Sequence, residues 1–186
     1  MKPITIVSGL PRSGTSMLMQ VLEAGGMPIA TDRKRKPDEN NLKGYLEIES
    51  IIDKLKDNPE CVFGFEGKVL KVIAYGLQYL PPGRYNVIYV DRNIEEVLDS
   101  MEKMMKAKDE EREDTRKVFI KLNDRTKAEI SRREDMKVLF VNYNDILSSS
   151  RKHLEEIHRF LQGSNLDMDE MTKVVDNRLY RQRRMG

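Results

Sequence analysis

Cysteine is nearly absent from this chain. Cys61 stands alone, so no internal disulfide can form and the pattern fits a reducing compartment. Six positions further on stands Gly67 rather than arginine, which rules out a phosphatase-type cysteine loop and leaves Cys61 as a small side chain for a core. An excess of one charge is also missing: 33 lysines and arginines face 31 aspartates and glutamates, for a net charge of +2. No overall field draws nucleic acid or a membrane surface, so any anion site has to be local. Long apolar runs are lacking as well. The first, Ile4 to Val7, is too short for a signal peptide or a transmembrane span, and the expectation is a soluble, cytoplasmic protein. Internal repeats and low-complexity tracts are not found.

The 186 residues suit one domain, 1–186, and a chain of this size buries roughly 70% of the surface it exposes unfolded. Four apolar runs rich in β-branched residues stand out: Ile4 to Val7, Val69 to Ile73, Val87 to Val90 and Val138 to Val141. Each is near-continuous rather than alternating, as in strands of a parallel sheet covered on both faces. Helical spacing follows in 14–24 (Met17, Leu18, Val21, Leu22), in 94–106 (Val97, Leu98, Met101, Met105) and after the last strand (Leu154, Ile157, Phe160, Leu161). The pattern predicts a three-layer α/β fold around a mostly parallel sheet of about four to five strands, with ligands at the carboxyl ends. Residues 31–44, polar and broken by Pro37 and Gly44, read as a loop, and 102–135, dense in both charges, as a solvated helix or helical pair.

Between the first strand and the first helix lies Gly9-Leu10-Pro11-Arg12-Ser13-Gly14-Thr15-Ser16. In that context a glycine-bearing loop suits a phosphate, the alternative being a tight strand-to-helix turn without a ligand: the glycines reach backbone angles closed to other residues, and the first N–H groups of the helix lack intrahelical partners. An anion belongs there. The spacing is that of G-x-x-x-x-G-K-[ST], but Thr15 replaces the lysine that holds the terminal phosphates of ATP. Cationic charge comes instead from Arg12, whose guanidinium bridges two anionic oxygens. A second constellation, Arg92 at a strand end and Ser100 eight positions on, suits another phosphate; the alternative is a surface ion pair and a helix-surface serine.

Pro11-Arg12-Ser13-Gly14-Thr15-Ser16 resembles the 5′-phosphosulfate loop of the PAPS-dependent sulfotransferases, a P-loop-type family. Val87 to Asn93, leading to Ser100, is similar to that family's 3′-phosphate motif, and Val138 to Leu147 to its last core strand. The resemblance implies 3′-phosphoadenosine-5′-phosphosulfate (PAPS) as donor and adenosine 3′,5′-bisphosphate as product, with no obligatory metal. It implies transfer to a hydroxyl or amine of a small acceptor, with Arg12, Ser13, Gly14, Thr15, Ser16, Arg92 and Ser100 holding the nucleotide. Tyr143 lies where the family places a tyrosine towards the adenine, core packing being the alternative.

Lys71 matches a lysine that cytosolic members carry just before their catalytic histidine, and the alternative is an exposed strand-end lysine. Where that histidine stands, this chain has Ile73. His153 and His158, in the helix after the last strand, suit capping or packing. Asn41-Leu42-Lys43-Gly44-Tyr45-Leu46-Glu47 resembles a stretch of some bacterial sulfotransferase-like proteins and makes Glu47 the candidate base, against a helix-start carboxylate favoured by the dipole. The acceptor pocket is expected from residues 26–60 and 102–135, and Arg181, Arg183 and Arg184 read as a solvated tail. Two other readings stay open: an atypical phosphotransferase or hydrolase, with Asp91 as a magnesium ligand, and a nucleotide binder without turnover.

Overall fold

The computed structural model describes residues 2–34, 44–162 and 165–175. Four strands, β1 (Ile4–Gly9), β2 (Val69–Lys71), β3 (Tyr85–Asp91) and β4 (Met136–Asn142), form one sheet in the order β2-β1-β3-β4. Every pairing in it is parallel. Around it lie α1 (Thr15–Ala24), α2 (Ile51–Asp57), α3 (Ile94–Met105), α4 (Arg112–Arg132), α5 (Tyr143–Ser148), α6 (Ser150–Phe160) and α7 (Met168–Val174). Short 3-10 segments occupy Pro59–Phe65 and Ala74–Tyr79.

Each apolar run has become a strand because β-branched side chains suit a pleated backbone covered on both sides. Alternation along the strands then divides the core. Ile4, Ile6, Leu70, Val87 and Tyr89 pack with α2, both 3-10 segments and the end of α4. Val7, Val69, Ile88, Val90 and Val141 pack with α1, α5, α6 and α7. β1 is buried throughout, whereas β4, at the edge, exposes Lys137 and Phe140.

The charge-dense stretch 102–135 resolves into the end of α3 and one long helix, α4, on which Thr126 and Ile130 are the buried positions. The short helices α2, α5 and α7 leave no legible period over so few residues, and local caps start two of them: the Asn142 side chain accepts from the Asn144 and Asp145 amides, and that of Asp167 from Asp169 and Glu170. Of the loop at 31–44, residues 31–34 and 44 carry no regular structure. Asn41, Leu42 and Lys43, and the arginines 181, 183 and 184, lie outside the described residues. Among the described residues no helix is long and apolar enough to cross a membrane.

After β1 the chain forms β2 on one side and later β3 on the other. Such a reversal opens a crevice at the carboxyl ends of the strands. The register aligns Val7 with Lys71, Gly9 with Val90 and Asp91 with Asn142, so the loop after β1, Lys71, Arg92 and Tyr143 meet on one rim.

Candidate phosphate-binding and transfer site

The loop from Gly9 to Ser16 is shaped by three residues with positive φ: Gly9 at 150°, Arg12 at 68° and Gly14 at 107°. A Cβ on Gly9 would lie 2.5 Å from both Ser13 Oγ and the Val90 carbonyl oxygen, and one on Gly14 would lie 2.2 Å from the Tyr143 ring. Both positions therefore require glycine. Arg12 tolerates its angle at a cost of about 1–3 kcal/mol, strain that persists only where its surroundings hold it. Gly14 caps α1 without a side-chain hydrogen bond to the first turn. Ser13 Oγ is buried and has no hydrogen-bond partner among the described residues. An uncapped helix start with a buried hydroxyl beside it can receive an anion.

Beside this loop, Arg12 Nε donates to Ser100 Oγ at 3.0 Å. Arg92 Nη1 donates to the Arg12 carbonyl at 3.0 Å, and Arg92 Nε to Glu96 Oε2 at 3.0 Å. The other Glu96 oxygen accepts from Asn144 Nδ2 at 3.1 Å. The Arg92 guanidinium lies 4.5 Å from the Tyr143 ring centroid, and burial pushes the Tyr143 phenol above its ordinary pKa. Tyr143 thus packs on Gly14 and Arg92 at once, and Arg12, Arg92, Ser100 and Tyr143 form one cluster.

The second cluster centres on Lys71. It is buried rather than exposed, 6% accessible, because its ammonium turns into the site. Nζ lies 2.6 Å from Glu47 Oε2, 3.1 Å from Ser16 Oγ and 3.4 Å from the Tyr45 carbonyl oxygen. Glu47 belongs to the irregular segment before α2, not to a helix start, so the dipole does not account for it. Glu47, Lys71, Ile73 and Tyr75, with residues of α2, line a pocket of about 210 Å³. Ile73 therefore faces the same space as the Glu47 carboxylate. α4 packs against α3, β4 and the second 3-10 segment, which carries Tyr75.

Asp91 accepts from Lys127 Nζ at 2.5 Å and from Asn123 Nδ2 at 3.2 Å, which commits it to α4 rather than to the loop. His153 and His158 lie on α6, which packs on α5, α7 and β4. Cys61 is half-buried against the core. Two members of the rim went unread in the sequence. Glu96 carried a faint signal, its spacing of four from Arg92 on a helix, and Asn144 carried none.

A model of the sulfotransferase domain family matches residues 2–184. Among solved structures, the mouse sulfotransferase SULT7A1 complexed with PAP superposes with a TM-score of 0.57 at 22% identity, covering 94% of this chain and 62% of that one. The chain thus spans less than two thirds of the mouse protein. The sulfotransferase domain of the Synechococcus PCC 7002 olefin synthase gives 0.55 at 15% identity over 96% of this chain and 86% of its own. That of the curacin biosynthetic pathway gives 0.51 at 16% over 96% and 89%. At these identities the likeness is one of fold. No curated protein matches the chain.

Proposed function

The chain belongs to the sulfotransferase domain family, and on that premise we propose that it moves a sulfuryl group from PAPS to a hydroxyl or amine of a small acceptor. The observation that carries this reading is the meeting of two cationic groups, Arg12 and Arg92, on one rim with an uncapped helix start. One anion site would suit any phosphate. Two adjacent ones, of which the second includes Ser100 against Arg12, suit a nucleotide carrying phosphates at both 3′ and 5′ positions, as does the PAP held by the mouse relative.

The donor supplies an activated S–O bond to its 5′-phosphate. In-line displacement breaks that bond as the acceptor oxygen or nitrogen bonds to sulfur, so positioning and charge stabilisation carry most of the catalysis. Arg12 and the amides of Gly14, Thr15 and Ser16 receive the negative charge that gathers on the departing phosphate. One such donor is commonly worth about 100-fold in rate. Lys71, on Ser16 Oγ and Glu47, orients both groups at the junction of loop and pocket. Glu47 takes the acceptor's proton, which leaves the bisphosphate and the sulfated acceptor as products. The acceptor enters the pocket beside Ile73 and Tyr75, the site lies in one domain spanning 1–186, and lone Cys61 agrees with a reducing, cytoplasmic setting.

Thermal-shift titration tests the reading, since a ligand that binds only the folded state raises the midpoint with occupancy. Adenosine 3′,5′-bisphosphate stabilises the protein in EDTA, more strongly than 5′-AMP does. Stabilisation by Mg-ATP and not by the bisphosphate would overturn the assignment in favour of a phosphotransferase.

A further inference from the structure

We propose that Glu96 is a positioning residue that locks the two halves of the nucleotide site together, so that even a ligand without a 3′-phosphate depends on it. The inference rests on the reading of Arg12 and Arg92 given above. Glu96 sits in the first turn of α3, where an exposed carboxylate would simply complement the helix dipole. Here it is 1% exposed. A carboxylate that deep is costly unless its oxygens are paired, and its two described contacts lead in opposite directions.

Through Oε2 it fixes Arg92 Nε, and the far side of the same guanidinium donates to the carbonyl of Arg12. Arg12 is the loop residue held at a φ of 68°, so Glu96 acts, one residue removed, on the strained turn of the phosphate loop. Through Oε1 it holds Asn144, next to Tyr143, whose ring rests on Gly14 and beside Arg92. The loops after β1, β3 and β4 therefore share one buried carboxylate. Arg12 completes the circuit by donating to Ser100, on the same helix as Glu96.

Charge and geometry predict opposite effects of Glu96→Gln. As a counter-charge alone, Glu96 offsets Arg92, so its neutralisation leaves more positive potential and tightens binding of a 3′-phosphate. As a positioning group, Glu96 needs both oxygens as acceptors. A glutamine offers one neutral oxygen and an NH2 group, so Arg92 loses its charged acceptor and Asn144 is kept only by turning its own amide over.

Calorimetric titration of the full chain with adenosine 3′,5′-bisphosphate and with 5′-AMP separates the two. In Glu96→Gln both nucleotides bind about tenfold more weakly, a loss of about 1.4 kcal/mol, and Glu96→Asp, which keeps two acceptor oxygens, recovers part of it. Unchanged 5′-AMP affinity, or tighter bisphosphate binding, overturns the proposal. Circular dichroism and the unliganded midpoint report whether the variant is folded. Should it not fold, Asn144→Ala carries the test, with a smaller loss for both ligands expected and unchanged 5′-AMP affinity again overturning the proposal. If the wild type binds neither nucleotide, the PAPS reading falls and this inference with it; if the wild type binds both and the variants match it, only this inference falls.

Discussion

At the scale of single residues, the question is how the carboxylate and the lysine of the site divide their work. Lys71 and Glu47 are close enough, at 2.6 Å, to be read as a structural ion pair, and replacing either with an apolar group would leave its partner uncompensated. Glu47→Gln lessens that difficulty, because it keeps the hydrogen bond though not the counter-charge. The amide oxygen still accepts from Lys71 Nζ while the side chain can no longer take a proton. If Glu47 is the base, transfer measured with labelled donor against a panel of hydroxyl and amine acceptors falls by about 100-fold or more, with bisphosphate affinity unchanged. Full activity in the variant would assign the pair a purely structural role. Glu47 and Lys71 were both legible in the sequence through the family resemblance, Lys71 with an exposed strand-end lysine as its alternative. Their contact was not, because it spans β2 and an irregular segment that lacks any periodic signal. The burial of Glu96 was illegible for another reason: an arginine and a glutamate four apart on a helix look the same in sequence whether solvated or buried.

At the scale of elements, the loop between β1 and α1 is where local sequence and tertiary contact agree most closely. Glycine at 9 and 14 announced a tight turn in the sequence. Only the structure shows what crowds them: the Val90 carbonyl on one side and the Tyr143 ring on the other. Gly14→Ala adds a Cβ at a φ of 107° and within 2.2 Å of that ring, costing about 1–3 kcal/mol in backbone strain before Tyr143 moves. For a domain of this size each kcal/mol lowers the midpoint by about 2–4 °C. A lower midpoint is therefore expected, together with at least a tenfold loss of bisphosphate affinity as the helix start turns away. Wild-type affinity in a folded Gly14→Ala variant would remove this loop from the anion site. β1, β2 and β3 were readable because residues covered on both faces leave continuous apolar runs, and β4, partly exposed at the edge, through its β-branched and aromatic residues. The short helices α2, α5 and α7 were not, because a turn or two is stabilised by caps and packing more than by its own pattern.

At the scale of the whole molecule, the sheet serves two ends: its rim carries the site, and the strands beneath it carry the core. Tyr85 and Tyr89 of β3 belong to that core, buried in one cluster. Burial disfavours the phenolate, pushing Tyr85 up to about 12 and Tyr89 higher still. A phenol whose folded-state pKa lies above its unfolded value near 10 contributes stability that is whole below pH 10 and is lost as the pH climbs towards 12. Denaturation midpoints are accordingly expected to fall across that interval. Lysine deprotonation contributes to any such fall, so the informative quantity is the difference between wild type and Tyr85→Phe. The phenylalanine variant loses the hydrogen bond from the Tyr85 hydroxyl to the Pro81 carbonyl, 2.9 Å long, and is less stable by about 1 kcal/mol at neutral pH. It also lacks one ionisation that opposes folding, and the gap between the two proteins closes or reverses by pH 12. A gap that stays constant across the interval would mean that Tyr85 ionises at the same pH folded and unfolded, and that its burial does not hold the phenol neutral.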